Sequence, residues 1–284
     1  MAMTYPTLRL ERRGPAAWIW MNRPEVHNAF DEMLIADLTA AFAAVDADRN
    51  VRVIVLAGEG KSLSAGADLN WMRRQGTAAF EDNVADARRL ADLYRTIALC
   101  ETPTLARVHG AALGGGMGLA AVCDICVAST QAQFATSEVR LGIIPAVIGP
   151  YVVRAIGERQ SYRYFQTGER ISAALAHEIG LVHEAVPPEE LDAKVDEIVA
   201  ALLAGGPRAQ SAATDLIRAV ANRPDRRYGD RGHRAADRNV AGDDRGAGGT
   251  QRLPRQTSPC LDGHITLVRE SHLNFGRSGC SGRS

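Results

Sequence analysis

The chain has no apolar run long enough to span a membrane. Its first residues, MAMTYPTLRLERRG, carry neither the apolar stretch nor the cleavage site of a secretion signal. Both absences point to a cytoplasmic protein. Charge of one sign is also lacking: Lys plus Arg and Asp plus Glu stand at 33 each, so nothing draws the chain to a nucleic acid or a membrane surface. Five cysteines (Cys100, Cys123, Cys126, Cys260, Cys280) are too few and too irregular for a disulfide framework. Cys123 and Cys126 form a C-x-x-C, but they lead into an apolar strand and have no second pair to complete a metal site, so they read as packing residues. The histidines follow no ligand spacing, and no phosphate-loop or dinucleotide fingerprint appears. No motif supports a metal or a redox cofactor, and there are no internal repeats.

What is present is ordinary globular material, 46% hydrophobic, in a chain of 284 residues that holds one large or two small α/β domains. Ala17–Met21 reads as a strand closed by Asn22-Arg23-Pro24. Asp31 then caps a helix whose Leu34, Leu38, Ala41, Phe42 and Val45 recur at helical spacing. Val51–Leu56, VRVIVL, reads as a strand buried on both faces. A long helix from about Ala78 to Leu99, a strand at Thr104–Val108 and another at Asp124–Ala128 follow, and Tyr151–Asn222 reads as helical with glycine breaks. Strand and helix alternating in this way predict right-handed βαβ units and a mostly parallel sheet, with a helical second half.

Two loops stand out, SAGADL (Ser64–Leu69) and ALGGGMGL (Ala112–Leu119). Each places small residues between a strand and a helix, where free backbone N–H groups can face a ligand. One N–H from each, aimed at a single point, makes an oxyanion hole for a carbonyl turning into an enolate. Close packing of helix on strand is the other reading of the glycines.

In order and spacing, NRPEVHNAF, KSLSAGADL, VHGAALGGGMGLAAVCD, FATSEVRLGIIP and IGLVHEAVP resemble the enoyl-CoA hydratase/isomerase (crotonase) superfamily over roughly residues 5 to 223. The resemblance implies an α/β fold with a ββα-spiral core, trimers or dimers of trimers, and an acyl-CoA substrate with no cofactor beyond the coenzyme A of the substrate itself. By position it makes Ala67 and Gly115 the oxyanion-hole donors. Ala65, Asp68, Leu69, Asn70 and Gly114 would line the channel for substrate and CoA. It also divides the chain into a core over residues 1–200 and the start of a trimerisation region over 201–224.

Hydratases of this family usually carry two glutamates. Here the first position is Gly118, which offers no acid, and the second is Glu138, set among Phe134-Ala135-Thr136 and Val139, where burial would raise its pKa. A solvated loop carboxylate is the plainer reading of Glu138. If Gly118 lines the pocket, a glutamate there would restore the pair. One carboxylate suits a Δ3,Δ2-enoyl-CoA isomerase on chemistry alone. SAGADLNWMRR and SEVRLGIIPAVIGPYVVRAIGER instead resemble the hydratases of 3-methylglutaconyl-CoA and related branched glutaconyl-CoAs in leucine and acyclic-terpene breakdown, so hydration is the expected reaction. An acyl-CoA binder that has lost catalysis is the competing class. A substrate with a distal carboxylate needs a cation, for which Arg73 and Arg74 are candidates beside their reading as exposed helix residues. Asp82 and Asp86 are the guesses for a second acid, against their reading as a solvated helix face.

At Pro224 the composition turns abruptly to Arg and Gly with few aliphatics. Where the family closes with a segment like AFLDKRRPAW, this chain has TQRLPRQTSPCL (Thr250–Leu261), and synonymous codons can be chosen for those residues that, read one base later, spell RNAFLDKRRPAW. A one-base frameshift near Pro224-Asp225 is the expectation, which makes residues 225–284 an out-of-frame tail without an apolar period to order it.

Overall fold

The doubly apolar run VRVIVL becomes the inner part of a six-stranded sheet in the computed structural model of the protein, which describes residues 5–221. The elements run β1 (Leu8–Arg13), β2 (Ala16–Met21), α1 (Glu32–Ala47), β3 (Val53–Gly58), β4 (Ser62–Ser64), α2 (Leu69–Thr77), α3 (Phe80–Ala98), β5 (Thr104–Val108), β6 (Ala111–Leu113), α4 (Gly115–Val122), β7 (Ile125–Ser129), β8 (Gln133–Ala135), α5 (Gly149–Thr167), β9 (Ile171–Ser172), α6 (Ala173–Glu178), β10 (Glu184–Val186), α7 (Leu191–Ala204) and α8 (Pro207–Val220). The large sheet has the order β1-β2-β3-β5-β7-β10, with β1 antiparallel to β2 and the rest parallel. A smaller sheet, β4-β6-β8-β9, is parallel except for β9. This is the crotonase-like α/β architecture.

Alternation along β3 explains the layering. Val53, Val55 and Ala57 join Trp18, Leu105 and Val127 against Leu191, Val195 and Val199 of α7. Ile54 and Leu56 face the other way, into Leu34, Leu38 and Phe42 of α1 and Leu119 of α4. Asp31 starts α1 as its sequence suggests, its carboxylate accepting the Leu34 N–H at 2.9 Å. Cys123 and Cys126 are free and buried, and burial pushes the Cys126 thiol up to about 12. They are packing residues.

Three expectations need correction or limits. The stretch read as helical from Tyr151 to Asn222 is interrupted by β9 and β10, which are too short to show a period of their own. A core boundary at residue 200 falls inside α7, whose buried Leu191, Val195 and Val199 make that helix part of the sheet packing. The frameshift reading of residues 225–284 lies outside the described residues.

The segment NRPEVHNAF sits beneath the loop that follows β4. Asn28 is fully buried with φ 53°, and its side chain accepts the Arg23 N–H (2.9 Å) and donates to the carbonyls of Glu59 and Ser62 (both 2.9 Å). Ser64 Oγ donates to the Asn28 carbonyl at 2.8 Å. Asn28→Ala strips three buried hydrogen bonds and leaves an unfavourable positive φ, which should lower stability by about 2–4 kcal/mol. Urea denaturation checks this, and an unchanged midpoint would show that the network does not hold the loop.

Candidate active site

Two backbone features and one side chain define the site. Phe30 forms an isolated parallel bridge with Ala67: its N–H donates to the Gly66 carbonyl at 2.7 Å, and its carbonyl accepts the Asp68 N–H at 2.9 Å. In such a bridge the flanking residues point their polar groups at the partner strand, so the N–H of Ala67 itself points away from it. That N–H takes no acceptor among the described residues. Asp68 then caps α2, its Oδ1 accepting from the Asn70 and Trp71 N–H groups at 2.8 and 3.1 Å.

The second feature is the first turn of α4. Its opening hydrogen bond runs from the Gly118 N–H to the Gly114 carbonyl (3.1 Å), so the N–H groups of Gly115, Gly116 and Met117 lie ahead of the ladder. Gly114 has φ 50°, and a Cβ there would lie 3.8 Å from Gly66 Cα and 3.3 Å from Glu138 Oε1. The two loops and the carboxylate therefore meet at Gly114. The other glycines serve packing: a Cβ on Gly115 would meet the Phe30 ring at 2.9 Å, and one on Gly116 the Ser64 carbonyl at 2.6 Å. Close packing and open N–H groups are thus both true of the triplet.

Glu138 begins a short 3-10 turn, Glu138–Leu141, separated from the end of β8 by two residues. It is half-buried, its Oε2 is buried without a hydrogen-bond partner among the described residues, and burial raises its carboxyl above the ordinary carboxylate value. A carboxyl with raised pKa beside unpaired amide donors can move a proton while the amides hold developing negative charge.

Position 118 is not open. A Cβ on Gly118 would lie 2.8 Å from Ile148 Cβ and 2.9 Å from Tyr94 Cε1, so the expectation that a glutamate there restores a pair fails on space. Ile148 and Tyr94 are both buried, and the Tyr94 hydroxyl donates to the Gly115 carbonyl at 2.6 Å. The sequence did not flag Tyr94, because an aromatic at helical spacing with Leu93 and Ile97 reads as core.

The remaining predicted residues divide. Ala65, Ala67, Leu69 and Asn70 are exposed along the loop and the start of α2, open to a ligand, with Leu69 at 67% exposure. Asp68 spends its carboxylate on the α2 cap and faces Arg23, 3.8 Å away, so only its backbone is free for a ligand. Arg74 pairs with Glu32 at the surface (2.9 Å), while Arg73 bonds Asn70 (3.0 Å) and makes no ion pair among the described residues. Asp82 is exposed on the first turn of α3. Burial pushes the Asp86 carboxyl up, but hydrogen bonds from Gln75 and Arg89 outweigh it and hold the pKa below the ordinary value. Asp86 is thus engaged by Gln75 and Arg89, and Asp82 lies in solvent, in keeping with a solvated helix face.

The profile of the enoyl-CoA hydratase/isomerase family matches residues 11–256. The chain belongs to this family. A crotonyl-CoA hydratase from Syntrophomonas wolfei is 34% identical over 222 residues, 78% of this chain and 83% of that one. An enoyl-CoA hydratase from Alternaria alternata is 36% identical over 205 residues, 72% of this chain and 67% of that one. The crystal structure of an enoyl-CoA hydratase from Shewanella pealeana superposes with a TM-score of 0.78 at 36% identity, covering 84% of this chain and 88% of that chain. In this chain position 118 is a glycine, and Ile148 and Tyr94 fill the space beside it.

The raised pKa of Glu138 has a consequence for stability. Folding binds its proton more tightly than the unfolded chain does, so its contribution is fully present below the unfolded pKa and lost as pH rises through the folded one. Glu138→Gln removes a group whose ionisation opposes folding, and should raise the melting temperature at pH 8 relative to the parent but not at pH 4. Thermal melts at the two pH values check this, and a variant less stable at pH 8 would contradict it.

Proposed function

We propose that this chain adds water across the C2=C3 double bond of an enoyl-CoA thioester. The single observation that carries the reading is the meeting of Ala67, Gly115 and Glu138 around Gly114: two loops with unpaired N–H groups and one carboxylate of raised pKa. In this reading the N–H groups of Ala67 and Gly115 hold the thioester oxygen. Glu138 takes a proton from water as its oxygen bonds C3, and the electron pair of the double bond moves onto the thioester oxygen as the enolate. The enolate then collapses, and Glu138 returns the proton to C2 on the same face. The exposed row Ala65, Leu69 and Asn70, with the backbones of Asp68 and Gly114, lines the course of the CoA, which is part of the substrate and the only coenzyme the scheme needs.

A second reading rests on the absence of an acid at Gly118. Moving a double bond from C3 to C2 needs only one base, carrying a proton from C2 to C4, and Glu138 suffices for that. The assembly we infer is a homotrimer or a dimer of trimers, supported by the exposed apolar residues Ile217 and Val220 on α8. No helix among the described residues is long and apolar enough to cross a membrane.

Glu138→Gln should lower crotonyl-CoA hydration by about two to four orders of magnitude while acyl-CoA still binds. The parent should also exchange the C2 proton of a saturated acyl-CoA in heavy water. Near-normal turnover by the variant would remove Glu138 from the chemistry, no exchange by the parent would make the chain a binder, and faster turnover of a 3-enoyl-CoA than of crotonyl-CoA would make it an isomerase.

For the acyl group, the resemblance to the branched glutaconyl-CoA hydratases singles out Arg73, whose guanidinium bonds Asn70 and makes no ion pair among the described residues. Arg73→Ala should raise KM for 3-methylglutaconyl-CoA about tenfold and leave crotonyl-CoA unchanged, as expected when one charge-assisted contact to a distal carboxylate is lost. Equal KM changes for the two substrates would assign an uncharged acyl chain.

A further inference from the structure

We propose that Tyr94 is a positioning residue for the oxyanion donor at Gly115. The proposal rests on the hydration reading above and adds to it a side chain that touches neither substrate nor reacting atoms.

Three observations carry it. The Tyr94 hydroxyl donates to the Gly115 carbonyl at 2.6 Å, at the short end of O–H···O distances, and it does so from a fully buried ring. That ring is braced on two sides: it stacks on Tyr151 with centroids 5.7 Å apart, and its edge fills the space beside Gly118 together with Ile148. The atom it grips belongs to the residue whose N–H is the proposed donor. The Gly115 N–H shares its peptide plane with the Gly114 carbonyl, which the Gly118 N–H already holds, and the Gly115 carbonyl lies in the next plane. Gripping that carbonyl therefore limits the φ/ψ rotation at Gly115 by which the N–H could swing off its line.

The clamp answers a local need. Gly115 follows Gly114, whose positive φ breaks the chain direction, and is followed by another glycine, so no side chain of its own holds this turn. Its side faces the Phe30 ring and the Tyr94 hydroxyl and nothing bulkier. The phenol stays protonated as the clamp requires, because burial first and the Glu138 charge second hold its pKa well above the ordinary tyrosine value. Glycine at 118 is what admits the ring: a side chain there would drive Tyr94 and Ile148 off the first turn of α4. The lack of an acid at position 118 and the presence of the clamp both follow from one glycine.

Tyr94→Phe keeps the ring and its packing and removes only the hydroxyl. It should lower kcat for crotonyl-CoA about 10- to 100-fold with KM within about twofold, since the loss falls on an interaction strongest in the transition state. A purely structural role would not move a second readout, the thioester carbonyl stretch of bound butyryl-CoA isotope-labelled at that carbon, measured by difference infrared spectroscopy per folded molecule. In the parent, binding should shift this band to lower frequency, and in Tyr94→Phe part of that shift should be lost. A parent shift kept in full by Tyr94→Phe, or a kcat within twofold of the parent, would overturn the positioning role and leave the hydratase reading intact. No shift in the parent would overturn the oxyanion-hole assignment on which both rest.

Discussion

The site depends on a pair of main-chain hydrogen bonds made by one residue. Phe30 spans Gly66 and Asp68, and by doing so leaves the intervening Ala67 with its N–H turned outward. Everything upstream serves that bridge. The left-handed turn at His27 and Asn28 brings Phe30 alongside the loop, and Asn28 ties the turn to Glu59 and Ser62. The Ala65 N–H donates to the His27 carbonyl at 2.9 Å and adds a third tether. The bridge is followed at once by the α2 cap at Asp68, so the loop is fixed at both ends. The Phe30 ring then reaches across to Gly115, so one residue sets the backbone of the first loop and the packing surface of the second.

On the other side of the site, space rather than charge governs the chemistry. Gly118, Ile148 and Tyr94 are packed so closely that no second carboxylate fits, and Glu138 works with one unpartnered oxygen against an otherwise apolar wall. A lone carboxyl in that setting is held toward its neutral form, which makes its ionised form the stronger base for the proton transfer proposed above. Burial costs it some stability when ionised, a familiar compromise where a group is kept for reactivity.

How much of this could be read from the sequence depends on how far each signal reaches. The strand read at Val51–Leu56, found two residues later at Val53–Gly58, the Asp31 cap and α3 were legible because their apolar runs, periods or caps lie within a few residues of one another. The strands β4, β6 and β8 span three residues each and show no period, so the small sheet that carries both loops was invisible. Glu138, Ala67 and Gly115 were placed by the family motif, whereas the reason Ala67 is free lies in Phe30, far away along the chain. Tyr94 was hidden because its apolar ring fits the core pattern, and only its hydroxyl, whose partner is three elements further along the chain, departs from it. Arg74 was legible as a cation but not as one already engaged, since Glu32 is brought to it by the fold.

If the donors are the amide groups proposed above, the site has an unusual inheritance. Drift in the side chain at 67, which faces solvent, leaves the donor in place, and only an imino acid would delete it outright. That tolerance is confined to position 67, since a side chain at Gly115 would meet the Phe30 ring. Otherwise the site's vulnerability is displaced to residues that never meet the substrate, the ones that set the angle of a peptide plane. A survey of inactivating substitutions would then cluster in the turn before α1 and on the inner face of α3, away from the residues that line the opening.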